Sequence, residues 1–320
     1  MAVYTEVTDE DLIEFLVQYD LGQVTAFKGI AEGVENSNYL LRTTIGSYIL
    51  TLYEKRVRRE DLPYFVGLME HLARHGIDCP VPIAGRDGGA LRELCGRPAA
   101  IVSFLDGLSP RRPQPEHCRL LGEAMARMHL AGATFEMRRE NNLSMPGWRS
   151  LFEGSAARAH EVQKGLAEAL DGEIAYLEAN WPEDLPDGVI HGDLFPDNVF
   201  FLGGRLSGII DFYFACNDCF AYDLAICLNA WCFEADNAFN VTKARLLLQA
   251  YRQVRPFSQA ELAALPLLAR GSALRFLLTR LYDWLHHPEG ALVEPKDPLE
   301  YWKKLSFHQR AGGPGDYGLD

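Results

Sequence analysis

The sequence predicts an α+β chain of two lobes: a small antiparallel β-rich N-terminal lobe and a larger, mainly helical C-terminal lobe. Three observations carry that prediction. Three short β-type runs joined by glycine-containing turns lie before Glu54. The stretch Ser109-Pro-Arg-Arg-Pro-Gln-Pro115 is then the sharpest change in composition along the chain. Beyond it apolar residues recur at helical spacing, interrupted by a single glycine-centred hairpin. The lobes are taken as residues 1–106 and 107–310, followed by a glycine-rich, disordered tail over 311–320.

Thr8-Asp-Glu-Asp11 ahead of Leu12, Phe15, Leu16 and Tyr19 reads as a capped amphipathic first helix, closed near Gly22. Val24–Ile30, Tyr39–Thr44 and Tyr48–Tyr53 are the three β runs. The loop between the first two, from Gly29 through Gly33 to Ser37 and Asn38, is spaced by glycine and offers backbone N–H groups that could cradle phosphates. A helix is expected from about Glu60 to His75, stopped by Gly76. A hairpin around Asp87-Gly-Gly89 leads to the apolar run Pro98–Gly107, which suits an inner strand and a hinge. Helices follow at Glu116–Leu130, Leu151–Leu170 and, beyond Gly172, up to Asn180. Ala221–Phe233 is so apolar that it must be buried on all sides, and Asp223 within it must be paired or capping a turn. Ser258-x-x-Glu261 is a capping box, and Ala269–His287 is a long late helix.

A chain of 320 residues, 48% apolar and 23% charged, is ordinary for a globular enzyme with two modest cores. Its net charge of −13 opposes nonspecific binding to nucleic acid or an anionic membrane, whose phosphates an acidic surface repels. No apolar run approaches the ~20 residues of a membrane span. The acidic start (Glu6, Asp9, Glu10, Asp11) lacks the basic and apolar regions of a signal peptide. Seven cysteines sit in apolar segments, with a lone Cys216-x-x-Cys219 and no nearby His, so they read as reduced thiols. A cytoplasmic protein is expected; monomer and dimer both stay open.

The chemistry concentrates in His191-Gly-Asp-Leu-Phe-Pro-Asp-Asn-Val-Phe200 and the run that ends on Asp211. Gly203-Gly204 between them reads as a two-residue hairpin turn. If that turn sets the register, Asn198 faces Ile209 and Asp211 lies diagonally across on the same face. An amide oxygen and a carboxylate brought together in this way suit Mg²⁺, a hard ion that keeps several waters.

His191-x-Asp193-x-x-x-x-Asn198, followed by Ile-Ile-Asp211-Phe, resembles the signature of the aminoglycoside phosphotransferase and choline kinase superfamily, small-molecule kinases with the protein-kinase fold. The runs at 33–39, 49–56, 210–216 and 222–232 look like those of the homoserine kinases built on that fold. The resemblance reaches from near the start to about Arg310. It implies ATP-dependent phosphorylation of the homoserine side-chain hydroxyl, a step of threonine biosynthesis, with Mg²⁺. By the same resemblance Asp193 is the catalytic base, His191 holds its loop, and Asn198 and Asp211 are the metal ligands. Gly29, Gly33, Ser37 and Asn38 become the phosphate loop, and Ser103 to Leu105 the hinge that reads adenine. One departure stands out. The family's strand cation and its helix Glu fall on Thr51 and Phe65, so Lys55 or Arg56 is the candidate replacement.

Homoserine is a zwitterion and needs a fixed cation and a fixed anion. Arg275 and Arg280 are the candidates for its carboxylate, Asp283 and Asp218 for its ammonium. Arg280 and Asp283, at i,i+3, could equally pair with each other. Another alcohol kinase of the superfamily, acting on methylthioribose, choline or an aminoglycoside, would keep the same site. A non-catalytic nucleotide-binding module would explain the lost strand cation, but has no need of Asp193.

Overall fold

The computed structural model describes residues 5–30, 36–54, 57–287 and 295–319, and it has the two-lobed α+β form that the sequence predicts. The first helix, α1 (Asp9–Leu16), starts at a reciprocal capping box: the Asp11 N–H donates to the Thr8 hydroxyl, and the Thr8 N–H donates to the Asp11 carboxylate. Its inward residues Leu12 and Phe15 lie on a five-stranded antiparallel sheet. The strands are β1 (Val24–Gly29), β2 (Ser37–Thr43), β3 (Ser47–Leu52), β4 (Leu91–Leu94) and β5 (Arg97–Ser103), in spatial order β1-β2-β3-β5-β4.

Period-two alternation divides that sheet. Tyr39, Leu41, Leu50, Leu52 and Ile101 face α1, while Ala100 and Val102 face α2 (Leu62–Arg74) and join the main core. The ladder hairpin turns at Cys95-Gly96, both at positive φ, between β4 and β5. Asp87-Gly-Gly89, expected to turn an earlier hairpin, instead closes a local loop in which the Gly85 N–H donates to the Gly89 carbonyl. The segment before it runs along β5: the Ile83 N–H donates to the Ile101 carbonyl and the Ser103 N–H to the Val81 carbonyl.

The second lobe contains α3 (Pro115–Gly132), α4 (Met145–Ser155) and α5 (Leu166–Asn180). The single helix expected over 151–170 is broken. A tight 3₁₀ stretch, Ala156–Glu161, follows α4, and Gly165 caps α5 in the left-handed region, which favours glycine. Gly172 ends nothing; it sits inside α5. Two short ladders follow, β6 (Asp187–Ile190) with β9 (Cys216–Cys219), and β7 (Val199–Leu202) with β8 (Arg205–Ile209). Then come α6 (Phe220–Trp231), α7 (Val241–Val254), α8 (Gln259–Leu285) and α9 (Pro298–His308).

The Ser258 capping box and the late leucine-rich run belong to one helix, α8, which continues through Pro266. That merger also corrects the reading of hydropathy. Among the described residues α8 is long and apolar enough to cross a membrane by length and composition, yet 67% of its most apolar window is buried inside the protein. It packs against α4, α6 and α9.

The expected disordered tail is ordered where it is described. Pro314–Tyr317 forms a single 3₁₀ turn, and Tyr317 (0% exposed) and Leu319 enter the main core. The Tyr317 hydroxyl bonds Nδ1 of the buried His308. Glycine count suggested disorder; two apolar anchors decide otherwise. Tyr317→Ala is therefore expected to cost about 3–5 kcal/mol, the range for truncating a buried aromatic. Urea denaturation would read it, and an unchanged midpoint would contradict this packing.

Candidate active site

The loop 191–198 connects β6 to β7, and buried groups fix its course. The His191 ring is fully buried; Nδ1 accepts the Asp193 N–H at 3.3 Å, which leaves Nε2 to donate to the Ile210 carbonyl at 2.9 Å. Burial lowers its pKa, in keeping with this neutral form. Gly192 sits at φ +76, and a Cβ there would meet the Phe214 carbonyl oxygen at 2.8 Å, so a side chain is excluded.

Asp223, in the apolar helix α6, anchors the turn. One carboxylate oxygen accepts the His191 N–H (2.9 Å) and a proton of His129 Nε2 (3.0 Å), while the other accepts the Gly192 N–H (2.9 Å). His129 Nδ1 is in turn bonded to the Tyr251 hydroxyl. Burial alone would raise the Asp223 carboxyl, but the bonds from His129 and the His191 backbone hold it below its ordinary value. Sequence reasoning required a partner for Asp223 without assigning it to the site; a lone carboxylate in a wholly apolar helix was the signal.

Asp193 is half-buried, and its carbonyl accepts Nδ2 of buried Asn198 at 2.8 Å. The same nitrogen lies 3.5 Å from the Asp193 carboxylate. Since the amide nitrogen is turned to Asp193, the Asn198 amide oxygen is the atom left for a cation. The hairpin register differs from the expected one. Leu202 faces Arg205 and Phe201 faces Leu206, but Phe200 then faces Gly208 and Val199 faces Ile209. Ser207 is the extra residue of a bulge, its hydroxyl donating to the Asp106 carbonyl at 2.7 Å. Asn198 therefore lies against Ile210, whose N–H donates to its carbonyl at 2.9 Å. Asp211 follows at φ 66, ψ 60, a left-handed conformation that costs a non-glycine residue of order 1 kcal/mol.

On the small lobe, Gly29 ends β1 opposite Tyr39. Gly33 and Lys55 lie outside the described residues, as does Arg56. Ser37 does not face the nucleotide side. It shares the α1 face with Tyr39 and Leu41, donates its hydroxyl to Glu54, and accepts the Thr5 N–H. Asn38 points to the opposite face, where its amide oxygen accepts the Thr51 hydroxyl at 2.8 Å. The Ser103 N–H is committed to the Val81 carbonyl, which removes it from any hinge recognition. Leu105, half-buried, makes no backbone hydrogen bond among the described residues. Thr51 and Phe65, onto which the resemblance carried the family's ion pair, lie on β3 and α2. Tyr213 packs there, its ring edge-on to both Phe65 and Tyr53 and its hydroxyl 3.3 Å from that of Tyr53.

Of the residues expected to hold the acceptor, Arg275 reaches the 191–198 loop. It is buried on α8, donates Nη1 to the Gly192 carbonyl, and stacks over Phe276 and Phe214. Arg280 is instead braced on α9, donating to the Glu300 carboxylate (2.7 Å) and the Asp297 carbonyl. Burial would raise the Glu300 carboxyl, yet Lys304 and Arg280 bring it to about 2. Asp283 is exposed on α8. Asp218 receives the Asn141 amide and the Cys219 N–H, each at 2.7 Å. A cavity of about 340 Å³ opens beside Gly192, Phe214 and Arg275, and Arg58 and Arg139, absent from the sequence reading, also line it. Burial raises the Cys216 thiol to about 12, and no group of three His, Cys, Asp or Glu among the described residues could hold a metal.

Residues 26–257 match the phosphotransferase enzyme family. The homoserine kinase of Paramagnetospirillum magneticum is 65% identical, with 100% of both chains covered. That of Bradyrhizobium diazoefficiens is 66% identical over 100% of this chain and 98% of its own. Among solved structures, a spectinomycin phosphotransferase superposes with TM-score 0.69 at 16% identity over 98% of each chain. An amicoumacin kinase gives 0.67 at 17% identity over 95% of each. At such identities these two speak for the fold alone. The chain belongs to the phosphotransferase enzyme family and, within it, to the homoserine kinases.

Proposed function

We propose that the chain transfers the γ-phosphoryl group of ATP to the side-chain hydroxyl of L-homoserine, giving O-phospho-L-homoserine. Full-length relatives of that name at about 65% identity support the acceptor. The single structural observation that carries the chemistry is the Asp193 loop, held by Asn198 on one side and pinned by Asp223 behind.

In this reading Asp193 orients the acceptor hydroxyl and takes its proton as the phosphoryl group leaves ATP. The residue is half-buried, and the loop bonds restrict where its carboxylate can go. Asn198 and Asp211 fit Mg²⁺, since they offer two hard oxygens and this ion retains waters for its remaining positions. Bound there, the ion would neutralise charge on the phosphates. His191 positions the loop and stays neutral. Leu105 offers the free backbone expected of an adenine contact, and the division near residue 106 serves as the hinge between lobes. Beyond that hinge the chain is tied to the catalytic hairpin, because Leu108 and Phe201 exchange both backbone bonds. We place the enzyme in the cytoplasm, in threonine biosynthesis.

An ADP-release assay across L-homoserine, choline, methylthioribose and kanamycin tests this. Turnover is expected with L-homoserine alone. Turnover on another alcohol without response to L-homoserine would overturn the acceptor and retain the kinase; silence with all four would overturn both.

A further inference from the structure

The 340 Å³ cavity is walled by the start of α2, the 139–143 segment, the Tyr213–Phe214 turn and Arg275, and it touches the catalytic loop at Gly192. Its charges are unequal. Arg58, Arg139 and Arg275 line it against one carboxylate, Asp61, among the described lining residues. Asp61 is already shared, at 3.0 Å from Arg139 and 3.3 Å from Arg58. Arg275 has no carboxylate partner of its own among the described residues. It is 3% exposed, its Nη1 is spent on the Gly192 carbonyl, and its buried Nε has no acceptor. A buried charged donor left unsatisfied is costly, and nothing within the described chain relieves it. With Asp61 shared by Arg58 and Arg139, Arg275 is the guanidinium left without an anion among the described residues, and a planar guanidinium is matched by a carboxylate.

Building on the reading above of an amino-acid acceptor, we propose that this cavity holds the amino-acid end of the substrate, with Arg275 taking its α-carboxylate. Reach supports it. Gly192 immediately precedes Asp193, so the guanidinium bonded to the Gly192 carbonyl lies one peptide away from the catalytic base. In an extended four-carbon hydroxy amino acid, the carboxylate carbon is roughly 5 Å from the hydroxyl oxygen, given bonds of about 1.5 Å. That length is comparable to the ~3.8 Å Cα step that separates Gly192 from Asp193. Asp61 and the exposed Asn142 amide supply acceptors for the ammonium at the opposite wall. The volume accommodates a small zwitterion with water.

The test compares L-homoserine with 3-amino-1-propanol, the same acceptor without its carboxylate, in steady-state kinetics of the full-length protein. Arg275→Gln is expected to lower the ratio of the two kcat/KM values, homoserine over aminopropanol, by at least about a hundredfold, chiefly through KM for homoserine. Arg275→Lys, which keeps the charge and loses the fork, should fall between. Because Arg275 also holds Gly192, a second variant avoids the loop altogether. Asn142→Lys puts a like charge beside the ammonium and should raise KM for homoserine roughly tenfold while leaving KM for ATP in place. If both acceptors lose activity equally in Arg275→Gln and Asn142→Lys leaves KM for homoserine unchanged, Arg275 only supports the loop and the proposal is overturned. An unaltered enzyme that does not turn over homoserine overturns the acceptor reading itself, and this proposal with it.

Discussion

Asp193→Asn is expected to reduce kcat for homoserine phosphorylation by about 10²–10⁴-fold, the usual contribution of a positioned general base. Asparagine is nearly isosteric and preserves the backbone bonds that shape the loop: the Asp193 N–H to His191 Nδ1, and the Asp193 carbonyl from Asn198 Nδ2. The fold should therefore survive, and KM for ATP should move little. Stopped-time ADP release together with a thermal melt separates the two effects. A variant that melts like the parent and retains full kcat would sink the assignment of Asp193 as base. Asp211→Asn makes a contrasting control. It removes charge from a position assigned to the metal, so its loss should be partly recovered at higher Mg²⁺, whereas that of Asp193→Asn should not.

What was legible in the sequence was what depends on neighbours along the chain. The Thr8 and Ser258 capping boxes formed as written, because each is a bond between residues three apart. The His191–Asn198 loop likewise closes on itself. The hairpin register failed for the opposite reason. Its turn is correct, but Ser207 is drawn into a bulge by Asp106, which lies about a hundred residues away. Ser37 is a case where the signal existed. Strand alternation with Tyr39 and Leu41, both core residues, already directs it away from the cleft. The cavity had no such signal, since Arg58, Arg139 and Arg275 come from three distant segments and meet only in the folded chain. The same holds for Arg280, whose partner Glu300 lies on α9, a helix the sequence reading did not foresee.

Asp223→Asn is the second substitution expected to have a large effect, and its mechanism differs from that of Asp193→Asn. The Asp223 carboxylate is a pure acceptor for three donors, the N–H groups of His191 and Gly192 and the ring of His129. An amide in its place turns a donor toward donors. Depending on which way the amide turns, either the Gly192 N–H alone or His129 and the His191 N–H together are left buried without an acceptor. Removing one partner of a buried charged network typically costs 3–5 kcal/mol, so a loss of about that size is expected in urea denaturation. Activity should fall as well, in kcat more than in KM, because what is disturbed is the angle at which the loop presents Asp193 rather than any group that touches substrate. Acid adds an independent check. A carboxyl whose pKa is lowered in the folded state takes up its proton more readily when unfolded, so its stabilisation is full above the ordinary value of 3.8 and drains away as pH falls below it. His191, also lowered, begins to withdraw its share earlier, as pH falls below 6.5. The parent should therefore lose stability in two stages on acidification, and Asp223→Asn should show a shallower lower stage, carried by Glu300 and the other carboxyls held low, while keeping the upper. A variant with parental stability, parental kcat and an unaltered acid limb would show that the loop is held by something other than Asp223.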